Sequence, residues 1–245
     1  MSKSALPCLA ALLAMAGCAM TEEPATNAVT NGAAAAPSVT PSIYATEEGR
    51  DEHSYARPWE ARVTNVSLDL DVDFERERVV GIATLDIAAE PGVDEVVLDS
   101  RGLEIMAVTN AAGEALNWTL GESDAVHGAP LTIELDGASQ VRIAYASAPD
   151  ASALQWLNPA QTAGGEQPFL FSQGQAILNR SWIPTQDSPG IRQTWDAHIT
   201  VPEGLTAAMS AANCDRPDPT PAEAGKRSFC FEMTKPVPPL SLIHI

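Results

Sequence analysis

Apolar and polar residues alternate without a break over residues 66–74. The two sets have a period of two, with Val66, Leu68, Leu70, Val72 and Phe74 set against Ser67, Asp69, Asp71 and Asp73. Successive side chains of a β-strand point to opposite faces, so this period places every apolar residue on one side. The segment is therefore predicted to be a strand with one buried and one wet face. A charged turn at residues 75–78 then leads into residues 79–87, the predicted hairpin partner.

Further short strands are predicted between turns rich in Pro, Gly and Asn, at residues 95–98, 103–108, 131–135, 140–145, 194–201, 206–212 and 227–234. No segment has a helical repeat longer than one or two turns. This spacing is typical of all-β proteins, and the predicted fold is an antiparallel β sandwich or saddle over residues 55–238. A chain with roughly 190 ordered residues can form one sizeable core.

The N-terminus has the features of an export signal. Lys3 is followed by an apolar run over residues 5–16, which is too short to span a bilayer stably. The run ends in Met15-Ala16-Gly17-Cys18, which resembles the lipobox of bacterial lipoproteins. The resemblance implies that residues 1–17 are a lipoprotein signal peptide and that Cys18 is the lipidation site, anchoring the protein to a membrane. The alternative is an ordinary signal peptide that is cut after a small residue such as Ala19.

Residues 18–54 are predicted to form a disordered tether. Ala, Thr, Asn, Pro and Glu dominate this segment, and such a composition buries too little apolar surface to order itself. With the lipobox, the tether predicts a protein of the bacterial cell envelope that is lipid-anchored and faces the periplasm. Ala19 carries no retention signal, which favours the outer membrane.

The charge balance excludes a nucleic-acid partner. Lys and Arg number 14 against 32 Asp and Glu, a net charge of −18, and such a domain repels phosphate backbones and anionic lipid head groups. The simplest interpretation of this charge is solubility. With 45% hydrophobic residues, the chain as a whole is predicted to fold.

Two cysteines remain once the leader has been removed and Cys18 has been acylated. They are Cys214 and Cys230. In an oxidising compartment they can form a disulfide worth about 3 kcal/mol for a loop of this length. Two free, half-buried thiols are the alternative.

The block over residues 150–189 carries the motifs that bear on function. They are Asp150-Ala-Ser-Ala-Leu-Gln-Trp156, Gln161-Thr-Ala-Gly-Gly165, Pro168-Phe-Leu-Phe-Ser-Gln173-Gly174-Gln175 and Arg180-Ser-Trp-Ile-Pro184-Thr-Gln-Asp187-Ser-Pro189. This block resembles the non-catalytic N-terminal domain of the leukotriene A(4) hydrolase type of zinc aminopeptidase, within the aminopeptidase N clan. A fainter resemblance extends over residues 55–238.

The resemblance implies that Gln173, Gly174 and Gln175 bind the amino end of a peptide substrate. Typical aminopeptidases have a Glu where Gln175 stands, and a neutral carboxamide would hold the substrate ammonium more weakly. Without the resemblance, these residues would be interpreted as surface polar groups or as a β-bulge. Arg180, Pro184, Asp187 and Pro189 are expected to hold the following loop, through charge-assisted bonds and proline turns.

Large aromatic residues in this half of the chain are expected to fill volume or to line a domain interface. They are Trp156, Trp182 and Trp195. Trp182 in particular is a candidate for a face that a further domain covers, and we expect it to be exposed when that domain is absent.

The resemblance also implies zinc in a longer parent enzyme. Zinc enzymes of this clan use His-Glu-x-x-His, and the spacing of His53, His127, His198 and His244 does not fit it, so no metal ligand or catalytic residue is assigned here. Residues 239–245 diverge from the family, and we expect a truncated gene model and an inactive fragment. We therefore predict the N-terminal part of a secreted zinc aminopeptidase, which contacts its missing catalytic domain. The alternative is a non-catalytic, β-rich lipoprotein that binds peptides or protein partners.

Overall fold

The computed structural model describes residues 46–217 and 222–239. Its regular elements are strands and two 3₁₀-helices, Pro159–Gln161 and Asn179–Ser181, and no α-helix occurs in these two ranges. The strands are β1 (Ala61–Asp73), β2 (Arg78–Ala89), β3 (Glu95–Ser100), β4 (Glu104–Asn110), β5 (Trp118–Leu120), β6 (Ala129–Glu134), β7 (Gln140–Ala146), β8 (Leu154–Leu157), β9 (Phe169–Ser172), β10 (Gln193–Pro202), β11 (Ala212–Asn213) and β12 (Lys226–Val237).

Some sequence predictions fall on other parts of the chain. The signal peptide, Cys18, the tether up to residue 45 and the tail from residue 240 lie outside the described residues. Within the described ranges, no helix is long and apolar enough to cross a membrane.

Seven strands form one mixed sheet in the order β11-β12-β10-β1-β2-β7-β4. Neighbours run antiparallel except β1 and β10, which pair in parallel from Asn65–Thr194 to Asp71–Thr200. The all-β prediction is confirmed, but the purely antiparallel arrangement is wrong at this pair. An alternating pattern fixes which face of a strand is buried, but it does not fix the direction of the strand. Here the chain from the end of β1 to the start of β10 runs through β2–β9, and this long path supplies the crossover that parallel strands need.

The alternation in β1 is present as predicted. Val66, Leu68, Leu70 and Val72 are at most 2% exposed, and their polar neighbours are half-buried on the other face. The same inward set continues on β10 with Trp195, Ala197, Ile199 and Val201. One apolar cluster therefore forms on one side of the large sheet.

Two smaller sheets complete the described fold. One has the order β3-β6-β5, and the other is the β8–β9 hairpin. Val96, Leu98, Leu131 and Ile133 of the three-stranded sheet belong to the same core cluster as the inward residues of β1. The shared cluster makes these sheets parts of one core. Three strands, β5, β8 and β9, fall outside the predicted strand ranges.

The predicted strand at residues 206–212 is wrong. Ala207 and Met209 are buried in alternation, but residues 205–211 are irregular, and only the two residues of β11 pair with β12. An irregular segment can bury alternate side chains, whereas a strand also needs a partner for its N–H and C=O groups.

Cys214 and Cys230 form a disulfide, with their Cα atoms 5.1 Å apart. The bridge lies next to the rung that pairs Asn213 with Phe231, and the Cys214 N–H also donates to the Cys230 carbonyl at 3.1 Å. Of the two alternatives that the sequence left open, the structure selects the bridge, which secures a two-residue edge strand.

Candidate functional site

The β8–β9 hairpin leads the chain to the predicted substrate-binding residues. Its strands pair from Leu154–Ser172 to Leu157–Phe169, and Leu170 is buried in the core. Directly after β9, the Gln173 N–H donates to the Ala153 carbonyl at 2.8 Å. This hydrogen bond therefore holds the backbone of Gln173 in place against the hairpin.

Gln173 and Gln175 are both exposed, and Gly174 between them is buried. Neither carboxamide makes a hydrogen bond to another described residue, and the Gln175–Ala176 peptide bond is cis. Each amide offers an acceptor oxygen and two N–H donors. The structure thus places two adjacent carboxamides, with their hydrogen-bonding groups available, on one exposed turn.

Arg180 follows in the second 3₁₀-helix, and its side chain is completely buried. Nη1 donates to the His127 carbonyl at 2.8 Å, Nη2 donates to the His53 carbonyl at 2.8 Å, and Nε donates to Asp187 Oδ2 at 3.3 Å. Nη2 also reaches the Asp187 carbonyl at 3.0 Å. One guanidinium therefore joins the segments that contain His53, His127 and Asp187. The first of these lies upstream of Tyr55, where the folded region was predicted to begin.

Asp99 is the second carboxylate of this buried cluster. Its Oδ2 accepts the Ser54 hydroxyl at 2.6 Å and the Asp187 N–H at 2.8 Å, and its Oδ1 accepts the Tyr55 N–H at 2.8 Å. Arg180 Nη1 lies 3.6 Å from Asp99 Oδ1. Asp99 was not predicted from the sequence, although an acidic residue within the buried strand β3 could have signalled a buried ion pair.

Burial raises the pKa of both carboxyl groups in this cluster, and the Arg180 guanidinium offsets part of the rise. For Asp187 the pKa rises to about 6. The main cause for both groups is the loss of solvent around a charged carboxylate, and for Asp187 the nearby Asp99 carboxylate adds a smaller contribution. We refer to Asp99, Arg180 and Asp187 as the buried charge cluster.

The loop that holds Asp187 is almost entirely inside the protein. Pro184 and Asp187 are buried, whereas Pro189 is at the surface. Gln186, for which no role was predicted, donates from Nε2 to the Ala61 carbonyl at 2.8 Å and accepts the Val63 N–H on Oε1 at 3.0 Å. This amide joins the loop to β1.

Trp182 is fully buried, so the expectation that it would be exposed without a further domain is wrong. Its Nε1 donates to Asn179 Oδ1 at 3.2 Å. Trp195 is also buried, and Trp156 is half-buried against the ring of Phe74. Trp182 therefore belongs to the support beneath the turn that carries Gln173, Gly174 and Gln175, which we call the glutamine turn.

An apolar groove lies elsewhere on the described surface. It has a volume of about 510 Å³ and is lined at the far end of the hairpin by residues such as Phe74, Leu157, Phe169 and Leu205. Neither Gln173 nor Gln175 contributes to it. The glutamine turn is thus an open surface feature, not the wall of this groove.

Zinc ligands do not converge in the described part of the chain. No group of three or more His, Cys, Asp or Glu side chains there is arranged to hold a metal ion. A zinc site needs three or four such ligands. The residues present therefore do not fit a zinc centre, and any zinc would take its ligands from elsewhere.

Comparison with known proteins finds one family and several similar enzymes. Residues 52–239 match the Peptidase M1 N-terminal domain. Over 193 residues the chain is 34% identical to leucine aminopeptidase 2 of Yarrowia lipolytica, covering 77% of this chain and 28% of that protein. It is 32% identical over 195 residues to leukotriene A-4 hydrolase of Xenopus laevis, covering 77% and 32%.

A solved structure has the same fold. The yeast LTA4 hydrolase in complex with Bestatin superposes with a TM-score of 0.69 at 26% identity, covering 80% of this chain and 30% of that one. The chain thus spans about a third or less of the length of these relatives.

Proposed function

Because the chain belongs to the Peptidase M1 N-terminal domain family, we propose that it is the substrate-contacting N-terminal part of a secreted zinc metallo-aminopeptidase resembling leukotriene A(4) hydrolase. The complete enzyme would remove N-terminal residues from peptides. Its zinc, base and catalytic domain would come from residues beyond those that the structure describes. The observation that carries the proposal is the pair of exposed carboxamides, Gln173 and Gln175, on either side of buried Gly174.

The chemistry of a carboxamide suits the amino end of a peptide. Its oxygen can accept an N–H from the substrate ammonium, and its NH₂ group can donate to the first substrate carbonyl. Two amides on one turn can contact both groups of the same residue. The amides are neutral, so they hold the ammonium less strongly than a carboxylate would.

The support beneath the turn favours a binding role over a flexible surface loop. Recognition of a small ligand depends on donors and acceptors that are held in place before the ligand arrives. Gln173 is hydrogen-bonded to the hairpin, and the buried charge cluster fixes the loop that follows. The two glutamines therefore project from a rigid base.

The proposal is tested by titrating the full 245-residue chain with trialanine and with N-acetyl-trialanine while recording the ¹⁵N side-chain amide signals. Trialanine should shift the Gln173 and Gln175 amide signals, because it carries a free ammonium. N-acetyl-trialanine should shift them much less. Equal shifts with both peptides, or no shift with either, would place the glutamines outside the substrate site.

Gln175→Glu should strengthen binding of a free α-amine. The new carboxylate would form a solvent-exposed ion pair with the ammonium, which is worth about 0.2–1 kcal/mol, or an up to about fivefold tighter Kd. Calorimetric titration with trialanine measures the change. The matched control is Gln155→Glu, which adds the same charge at an exposed position of β8. Equal tightening in both variants would show a general charge effect and contradict a specific contact at Gln175.

The proposed location is the bacterial envelope, with a lipid on Cys18 and the domain facing the periplasm, most simply at the outer membrane. Expressed in a bacterium, the chain should separate with membranes and incorporate labelled fatty acid. Cys18→Ser should abolish that label, because the acylated thiol is gone, whereas Cys8→Ser should retain it. Equal labelling of the Cys18 variant would refute the lipid anchor.

A further inference from the structure

The turn between Gln173 and Leu178 is bonded at both ends. The Gln173 N–H donates to the Ala153 carbonyl, and the Leu178 N–H donates to the Gly174 carbonyl, each at 2.8 Å. Ala153 is fixed in turn, because its N–H donates to Ser181 Oγ at 3.0 Å. These bonds fix the backbone, but they do not set the directions in which the two glutamine side chains project.

Gly174 has no room for a side chain. A Cβ placed on Gly174 would lie 2.2 Å from Asn179 Oδ1 and 2.6 Å from Asn179 Cγ and Nδ2. Real Cβ atoms essentially never approach other heavy atoms so closely. The flat amide of Asn179 therefore lies in contact with the Gly174 backbone, between the two exposed glutamines.

Asn179 cannot easily move away from this contact. It is fully buried, its Oδ1 accepts the Trp182 Nε1–H at 3.2 Å, and its own carbonyl accepts the Trp182 and Ile183 N–H groups at 3.0 and 2.9 Å. Trp182 Nε1 is only a donor, so the oxygen of the amide must face it. Asn179 Nδ2 is buried and makes no hydrogen bond within the described residues.

We propose that Asn179 is the positioning residue of the glutamine turn: its amide, held by Trp182, packs against Gly174 and sets the directions in which Gln173 and Gln175 project. The inference deepens the proposed function and rests on it for its meaning in substrate binding. Asn179 Oδ1 is held by the Trp182 Nε1–H, whereas Nδ2 makes no hydrogen bond within the described residues. The amide is thus held in one orientation, with its Cγ, Oδ1 and Nδ2 against Gly174.

The test is a double-mutant cycle on the full chain with Gly174→Ala, Asn179→Ala and the pair. In the absence of ligand, Gly174→Ala should displace the Gln173 and Gln175 side-chain amide signals, because the new methyl group overlaps the Asn179 amide. Asn179→Ala removes that overlap, so the displacement that Gly174→Ala adds should be much smaller in the Asn179→Ala background than in the parent. Additive displacements in the double variant would overturn the inference, because they would show that the two residues act independently.

Asn179→Ala alone keeps the test decisive if Gly174→Ala fails to fold. With the amide gone, the Gln173 and Gln175 side-chain signals should move toward the values of an unstructured chain, and parent-like signals would overturn the inference. Gly204→Ala is the matched control, since its Cβ would lie 3.5 Å from the nearest atom, an ordinary contact. It should leave both glutamine signals in place.

The peptide titration separates the two hypotheses. Gly174→Ala should weaken trialanine binding by about tenfold in the parent through lost preorganisation, and it should add a smaller loss in the Asn179→Ala background. If trialanine leaves the parent signals unchanged, the proposed function fails. The ligand-free cycle still decides whether Asn179 positions the turn.

Discussion

Arg180→Met should destabilise the domain by about 3–5 kcal/mol, enough to abolish cooperative folding in a domain whose total stability is near the lower limit of about 5 kcal/mol. The reason is the buried charge cluster. Removing the guanidinium leaves two carboxylates that are at most 1% exposed, with no cation to balance them. It also frees the carbonyls of His53, His127 and Asp187, which are left without the Arg180 donors.

Urea unfolding of the full chain, followed by tryptophan fluorescence, measures this loss. Trp182 and Trp195 are buried and should report the transition. The matched control is Arg142→Met on β7, which removes an exposed guanidinium and should change stability by less than about 0.5 kcal/mol. A loss below about 1 kcal/mol for Arg180→Met would contradict the importance of the cluster.

Most of the strands could be predicted from the sequence because their apolar residues recur with a clear period. In β1 the alternation decides the buried face, and each neighbouring strand is bounded by turn residues. Strand direction could not be predicted in this way, because parallel pairing of β1 with β10 depends on the path of a long connection. The irregular segment after Leu205 was predicted to be a strand for a related reason: its alternating burial is real, but residues 205–211 are irregular and pairing with β12 begins only at β11.

The glutamine turn could be located from the sequence only through its resemblance to a family, because two Gln residues around a Gly carry little information alone. Arg180 and Asp187 were expected to bond, and they lie in contact. Their third partner, Asp99, is 81 or more residues upstream and could not be inferred from spacing. The contact of Asn179 with Gly174 could not be inferred either, because nothing in the sequence marks these two residues. It is visible only in the short distances between the Asn179 amide and a Cβ placed on Gly174.

Substitution of the two carboxylates of the cluster should have opposite consequences. Asp99 accepts hydrogen bonds on both oxygens, so Asp99→Asn turns one acceptor into a donor that faces another donor. The loss of a buried partner should cost about 3 kcal/mol or more at pH 7. Asp187 uses only Oδ2 for the Arg180 N–H groups, and an asparagine oxygen can take its place. Asp187→Asn should therefore be near neutral or stabilising at pH 7.

The pH dependence of stability should reveal the contribution of Asp187. Burial raises the pKa of Asp187 from its ordinary value of 3.8 to about 6, so the folded state binds this proton more tightly than the unfolded state does. The resulting stabilisation is fully present below pH 3.8 and is lost as pH rises to about 6. Its size is of order 1–3 kcal/mol.

Other carboxylates have the opposite effect. The backbone N–H groups that hydrogen-bond to Asp73 and Asp124 lower the pKa of these side chains, which favours the folded state at higher pH. The slope of the parent's unfolding free energy against pH therefore contains contributions of both signs. The difference in unfolding free energy between the parent and Asp187→Asn isolates the contribution of Asp187. Urea unfolding at intervals between pH 4 and pH 7 measures it. The parent should lose stability relative to Asp187→Asn as pH rises through this window, whereas parallel curves would show that Asp187 is ionised throughout and that Arg180 fully compensates both carboxylates.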